Sequence, residues 1–181
     1  MNTDSETGAE SPLEDFSGCH RGIIENFNRM LALVAMIDED AGNPRIGEIA
    51  GRLVKFFEEV VYTHHDEEEQ ELFSAVMENA GDGEEATEAR AHIARLVAEH
   101  RELESMWKSI EGDLWRLSRG KESDLDRELA ARLARRYLEH AEFEEQVFLP
   151  LSARLLSKTE LSDLGLSLHR RHEDKAAPNF I

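Results

Sequence analysis

In two separate parts of the chain, the sequence contains a copy of one short motif, His-x-x-x-Glu, that is followed directly by Glu-Gln. The first copy runs from His64 to Glu68 and the second from His140 to Glu144. On an α-helix, positions i and i+4 lie one turn apart on one face, so the imidazole and the carboxylate can reach one ion or two adjacent ions. Two such helices that face each other would form a carboxylate-bridged two-metal centre. We therefore interpret the rest of the chain as the scaffold of that centre.

Four segments carry apolar residues at spacings of three and four, which is the pattern of amphipathic helices. Gly-containing breaks near positions 42, 81 and 120 separate them. The predicted helices cover about 12–39, 46–76, 93–117 and 125–151.

No stretch alternates apolar and polar residues over a useful length, so no sheet is expected. Pro150 is expected to kink or interrupt the fourth helix, and a short last helix is expected from Thr159 towards Arg171. The predicted fold class is all-α, an antiparallel up-down four-helix bundle with a short extra C-terminal helix. The predicted organisation is a disordered N-terminal segment over 1–12, the bundle domain over 13–173 and a tail over 174–181.

Charge and composition limit the partners and the compartment. Lys and Arg total 21 against 39 Asp and Glu, a formal charge of −18. Such a chain repels phosphate backbones and anionic lipids, so neither nucleic acid nor a membrane is an expected partner. A single cysteine fits a reducing compartment. No apolar run approaches the roughly 20 residues of a membrane span, and the polar N-terminus lacks the features of a signal peptide. We expect a cytoplasmic protein.

Each predicted long helix carries one histidine where the apolar period requires a core residue. These are His20, His64, His100 and His140. The first two lie 22 residues on either side of position 42, and the last two lie 20 residues on either side of position 120. Antiparallel helices therefore place the four histidines within roughly one turn, about 5 Å, of a common level.

Two carboxylates, Glu68 and Glu144, extend the same apolar stripes by one turn. A buried carboxylate without a partner is very costly, so it must be neutralised, paired or bound to metal. Imidazole and carboxylate donors without thiolate disfavour structural zinc, and the single Cys19 cannot form a thiolate site. Helical bundles with inward carboxylates and histidines commonly hold two iron or manganese ions. We predict no catalytic residue and no organic cofactor.

The ordered set of His20, His64-x-x-x-Glu68, His100 and His140-x-x-x-Glu144 resembles the hemerythrin-like (HHE cation-binding) domain over about residues 13–156. The Glu-Glu-x-x-Leu-Phe and Glu-Glu-x-x-Phe-Leu-Pro tails of the two motifs are similar to that family too. The resemblance implies a non-haem di-iron site that binds or reacts with oxygen or related small oxidants. It implies that one iron is held by His20 and His64, the other by His100 and His140, and that Glu68 and Glu144 bridge them.

The pattern departs from oxygen-carrying members of that family at one ligand. Those members have a second histidine one turn from the ligand on the third helix, where this chain has Leu96 and Glu104. Water or Glu104 would fill the vacancy. The last carboxylate also lies four residues after its histidine, and Glu145 holds the fifth position. An oxygen-rich site favours ferric iron, so reversible oxygen carriage is not expected.

Other polar residues have simpler interpretations. His65, Glu67 and Glu69 are expected on a solvated acidic face, and His92 on the surface. The His-Arg-Arg-His tract at 169–172 is either a metal tract or a polar helix end, and we favour the latter.

Four further residues have two interpretations each. Cys19 has a redox role or is a small buried thiol, and we favour the thiol. Trp107 and Trp115 are core residues or interface aromatics, the latter implying a homodimer. Glu104 is a ligand, or else a surface acid or an acid that contacts a ligand.

Two function classes remain open at this stage, with a weaker third. The first is a di-iron protein that binds or senses oxygen, oxidants or iron, with a small diatomic or peroxide ligand at the metal. The second is a di-iron enzyme acting on peroxide or nitric oxide. The third is a helical interaction module whose site is vestigial.

Overall fold

The computed structural model describes residues 12–164, with the side chains of 19–164, and this part of the chain is helical with no β-strand. The all-α prediction is confirmed. The predicted N-terminal segment lies outside the described residues except for Pro12, and so does the tail at 174–181. The long helices are α1 (Pro12–Glu39), α2 (residues 45–79), α3 (Glu84–Ser118) and α4 (residues 127–155), and residues 158–164 are also helical.

The predicted breaks lie where the chain has turn-forming residues. Gly81 and Gly120 have φ angles of +67° and +63°, a left-handed conformation that glycine adopts without steric cost. At the end of α3, the Gly120 N–H donates to the carbonyl of Leu117, a bond typical of a glycine-terminated helix. Asp126 is the N-cap of α4, and its side chain accepts a hydrogen bond from the Leu129 N–H at 2.9 Å.

Helices α2 and α4 are not regular α-helices throughout. Helix α2 contains π-helical turns at Phe57–Val61 and Glu68–Leu72, and α4 contains one at Glu144–Phe148. Each π turn adds a residue to the turn and changes the direction of the side chains that follow. Two of the three π turns begin at Glu68 and Glu144, the glutamates of the two motifs, and apolar periodicity does not predict them.

Pro150 does not end α4. The helix continues through Leu149–Leu155, and the change in hydrogen bonding comes before the proline, in the π turn. A proline ring clashes with the preceding turn of a regular helix and donates no hydrogen bond there. The wider π turn reduces that conflict, so the predicted interruption takes the form of a local change of pitch.

The apolar core is divided into two clusters by a polar layer. The larger cluster includes Ile23, Val61 and Leu103, and the smaller includes Leu72 and Leu96. In α2, α3 and α4 the histidines of the predicted site fall between the two clusters along the chain. Helix α1 packs against α2 and α4, and α3 packs against the same two helices.

None of the helices within 12–164 is both long and apolar enough to cross a membrane.

Candidate metal centre

The structure brings all six predicted ligands together in the polar layer. They form two overlapping groups of four, and within each group one nitrogen or oxygen atom per residue lies within 4.8 Å of the others. Every one of these side chains is buried. The first group is His20, His64, Glu68 and Glu144, and the second is Glu68, His100, His140 and Glu144.

Glu68 faces both groups with different oxygen atoms. Its Oε1 lies 3.2 Å from His64 Nε2 and 3.5 Å from His20 Nε2. Its Oε2 lies 3.4 Å from Nε2 of His100. A carboxylate that presents one oxygen to each pair of histidines has the arrangement of a bridging ligand.

Glu144 also reaches histidines of both groups. Its Oε2 lies 3.0 Å from His20 Nε2 and 3.4 Å from His140 Nε2. Its Oε1 lies 3.9 Å from His100 Nε2. The two glutamates are therefore common to both groups, and each histidine belongs to one.

The positions of the converging atoms suit metal coordination better than they suit hydrogen bonds among the side chains. Among the described residues, Nε2 of His20, His100 and His140, Oε2 of Glu68 and both oxygens of Glu144 make no hydrogen bond. Buried polar atoms are rarely left in this state. Two atoms bound at about 2.1 Å to one ion and at right angles to each other lie roughly 3 Å apart. Five of the six separations given above are 3.0–3.5 Å, close to that value, and the sixth, between Glu144 Oε1 and His100 Nε2, is 3.9 Å.

The opposite ring nitrogens are held by a second set of carboxylates. His20 Nδ1 lies 2.7 Å from Glu145 Oε1, and His100 Nδ1 lies 2.8 Å from Glu69 Oε1. A carboxylate only accepts, so Nδ1 carries the hydrogen and Nε2 is left to face the centre. Such outer carboxylates orient a metal-binding imidazole and raise its basicity.

His140 has the same arrangement. Its Nδ1 lies 2.9 Å from Glu99 Oε2, and Arg95 Nε donates to the other oxygen at 2.8 Å. Burial by itself raises the pKa of Glu99, but the hydrogen bonds from His140 and Arg95 outweigh it and lower the pKa to about 2. Glu99 is thus a permanent anion at neutral pH.

Electrostatics differ between the two histidines of the first group. Burial lowers the pKa of His20, but contacts with the carboxylates of Glu144, Glu145 and Glu68 outweigh burial and raise the pKa to about 12. For His64, burial dominates and lowers the pKa to about 3. Without a metal ion, the His20 imidazole is therefore protonated on both nitrogens and positively charged, whereas the His64 imidazole is neutral.

The prediction that His65, Glu67 and Glu69 lie on a solvated face was wrong. His65 and Glu67 are buried, and Glu69 is half-buried and bonded to His100. Helix α2 has neighbours on two sides, so it has more than one buried face. His64 lies against His20 on α1, with ring centroids 4.7 Å apart, whereas His65 faces α3 and α4.

His65 also forms a group with His100 and His140 whose nitrogens are close enough to hold a metal ion, but its orientation does not suit that role. Its ring is parallel to that of His100, with centroids 3.9 Å apart, so the lone pairs of the two rings do not converge on one point. Its Nδ1 lies 3.1 Å from Glu104 Oε1 and its Nε2 lies 2.5 Å from the Tyr137 hydroxyl.

The remaining predictions have mixed outcomes. Glu104 contacts His65 and belongs to neither group of converging atoms. His92 is partly buried, with Nε2 3.4 Å from Glu88, and Cys19 is half-buried. Of the two interpretations given for the tryptophans, Trp107 is a core residue, whereas Trp115 is 41% exposed. The tract at 169–172 lies outside the described residues.

Sequence reasoning missed the outer carboxylates, although a signal was present. Glu69 and Glu145 each directly follow a predicted carboxylate ligand, and Glu99 directly precedes a predicted histidine ligand. Each reaches a histidine on a neighbouring helix. An acidic residue adjacent to a ligand in sequence was therefore the pattern to look for.

Comparison with known proteins agrees with this geometry. The family model described as the hemerythrin HHE cation binding domain matches residues 11–152. A search of curated proteins finds no match to this chain.

Proposed function

Because the chain belongs to the hemerythrin HHE cation-binding domain family, we propose that it is a non-haem di-iron protein that binds or senses oxygen, oxidants or iron. The observation that carries this proposal is the sharing of Glu68 and Glu144 by two pairs of buried histidines. Two cations close together repel each other, and two anionic bridges between them offset part of that repulsion.

The proposed ligand sets follow the two groups. His20 and His64 hold one iron, His100 and His140 hold the other, and Glu68 and Glu144 bridge. When bound, the iron pair supplies a site that binds or reduces oxygen and related small oxidants. The protein residues orient the donors, keep the layer dry between two apolar clusters and, through Glu145, Glu69 and Glu99, fix which ring nitrogen faces the centre. Six intact, buried donors argue against the vestigial-module alternative.

For the fold we infer the antiparallel up-down four-helix arrangement. In sequence order, α2 runs from the larger apolar cluster to the smaller, α3 runs from the smaller to the larger, and α4 again runs from larger to smaller. Short connections between the helices support the same arrangement. We also propose a cytoplasmic location, which the single cysteine favours.

The second candidate is an enzyme that consumes peroxide or nitric oxide, and the donor set favours it over an oxygen carrier. Leu96 is fully buried and apolar, and Glu104 is engaged by His65, so neither adds a donor to that of His100, the candidate ligand on α3. The four histidines supply four nitrogen donors for two ions, so the remaining donors are oxygens. Oxygen donors stabilise the oxidised metal.

Metal analysis combined with optical spectroscopy tests the proposal. We expect close to two iron ions per chain after anaerobic reconstitution and removal of loosely bound metal. Stopped-flow mixing with oxygen should then give a spectral change that vacuum does not reverse. Rapid consumption of added peroxide identifies the enzyme, whereas several cycles of reversible oxygenation would identify a carrier and contradict our assignment. Absence of bound iron would contradict the di-iron proposal itself.

A further inference from the structure

A buried chain of hydrogen bonds leads away from the candidate metal centre to the protein surface. The Tyr137 hydroxyl lies 2.5 Å from His65 Nε2, and His65 Nδ1 lies 3.1 Å from Glu104 Oε1. Tyr137 is 1% exposed and His65 is 1% exposed, whereas Glu104 is partly exposed. The chain therefore begins in the core and ends at a carboxylate that water can reach.

The chemistry of the three groups fixes the direction of each hydrogen bond. The Glu104 carboxylate only accepts, so the hydrogen of a neutral His65 is on Nδ1 and points to Glu104. His65 Nε2 is then free to accept, and the Tyr137 O–H donates to it.

Tyr137 also lies beside the candidate ligands. It precedes His140 by one turn of α4, and the two rings are 5.5 Å apart between centroids. Its hydrogen-bond partner His65 is stacked on His100. On its other side the phenol ring stacks on Phe27 with centroids 4.2 Å apart, which shields it from water. A phenol so placed touches both the ligand shell and a dry apolar core.

We propose that Tyr137 is a redox-active residue that gives one electron to the metal centre while its proton leaves through His65 and Glu104. This inference rests on the proposed iron centre and names its oxidant class, hydrogen peroxide. A phenol that has lost an electron is a strong acid, so the Tyr137 proton leaves with the electron, and His65 Nε2 at 2.5 Å is placed to accept it.

The Tyr137 O–H bond breaks, its electron goes to the centre, and its proton goes to His65 Nε2 as the Nδ1 proton passes to Glu104. His65 is neutral before and after and only exchanges tautomers. Peroxide takes up two electrons and two solvent protons as its O–O bond breaks to give two waters. Tyr137 supplies one electron and the metal supplies the other.

A surface cavity lies at the outer end of the chain. It has a volume of about 330 Å³ and is lined by Glu104, Arg101, Glu69, Tyr62, Thr63 and Asp66. Arg101 contacts both Glu104 and Glu69 there. The cavity gives water access to the Glu104 carboxylate, so the proton can pass to solvent without crossing the apolar core.

The chain has two tyrosines, Tyr62 and Tyr137, which makes the assignment of a radical clear. In the first arm of the test, iron-loaded protein of measured iron content is mixed with hydrogen peroxide and freeze-quenched for electron paramagnetic resonance. We expect a tyrosyl radical that is lost in Tyr137→Phe and kept in the matched variant Tyr62→Phe. A loaded protein that consumes peroxide without a tyrosyl signal, or a signal that survives Tyr137→Phe, would overturn the proposal.

The second arm does not depend on iron and separates this inference from the proposed function. Metal-free Tyr62→Phe protein is photo-oxidised with a ruthenium complex, and the tyrosyl radical is followed by transient absorption. We expect a long-lived radical that is lost when Tyr137→Phe is added. His65→Phe keeps a ring against His100 but removes the proton acceptor, so it should shorten the radical lifetime or abolish the radical. A lifetime unaffected by His65→Phe, or no tyrosyl radical at all, would refute the relay whether or not iron binds.

Discussion

His20 Nδ1 lies 2.7 Å from Glu145 Oε1, although 125 positions separate the two residues in the chain. The contact joins the first helix to the last long one and turns His20 Nε2 towards Glu144, 3.0 Å away. Glu145 follows Glu144 directly, so consecutive acids on one helix hold the two sides of one imidazole. This gives Glu145 the role of an outer carboxylate, and Glu144 the position of a ligand.

Replacing Glu145 with Gln tests that role. A neutral amide is a weaker acceptor for the His20 N–H than a carboxylate, so we expect metal affinity to fall by about 10–100-fold. Competition with a chelator of known affinity measures the change. Glu142→Gln is the matched control, because Glu142 is exposed on the same helix. Equal affinities in the two variants would show that Glu145 does not support the site.

Removing a bridging carboxylate should have a larger effect. Glu68→Ala deletes the side chain that faces both pairs of histidines, so we expect the loss of most two-ion occupancy. The stabilisation that metal gives to the native state should disappear with it. Melting temperatures with and without metal measure this, with the exposed Glu78→Ala on the same helix as control. If the metal-induced rise in melting temperature is intact in Glu68→Ala, the bridging assignment is wrong.

Metal binding should release protons. In the metal-free protein His20 is protonated at neutral pH, since contacts with the carboxylates of Glu144, Glu145 and Glu68 outweigh burial and raise its pKa to about 12. Only a neutral imidazole binds metal, so the ion displaces that proton and apparent affinity falls as pH is lowered. A dye in weakly buffered solution at pH 7 should report at least one proton released per chain. A titration without proton release would contradict the protonated state of His20.

The two tryptophans offer a matched test of the core. Trp107 is fully buried and stacks on Phe57 at 4.0 Å with an interplanar angle of 3°, whereas Trp115 is 41% exposed. We expect Trp107→Ala to lower the free energy of unfolding by about 3–5 kcal/mol. Trp115→Ala should change it by less than roughly 1 kcal/mol. Denaturant unfolding measures both, and similar losses in the two variants would contradict the assigned burial.

Helix positions and candidate ligands were predictable from the sequence for one physical reason. A histidine or glutamate that interrupts an apolar stripe must be buried, and Gly81 and Gly120 mark where helices end because they adopt a left-handed conformation. Equal distances from the breaks near positions 42 and 120 then indicated that His20, His64, His100 and His140 meet. The six residues do converge, and their role as ligands stays a prediction.

The π turns and His65 could not be predicted by the same reasoning. A single-stripe pattern assumes one buried face, but α2 has neighbours on two sides, so His64 and His65 are both buried and face different helices. A π turn leaves no simple signature in apolar periodicity, because it lasts only one turn. The hydrogen-bonded chain of Tyr137, His65 and Glu104 joins three helices, and no spacing within one helix predicts it.

The central claim is that two metal ions lie between two pairs of histidines and share Glu68 and Glu144. Anomalous diffraction at the iron edge from crystals of the iron-loaded protein tests it most directly. We expect two peaks, one beside His20 and His64 and one beside His100 and His140, with both glutamates in contact with each. A single peak, or a peak between His65 and His100 with the glutamates unengaged, would contradict it.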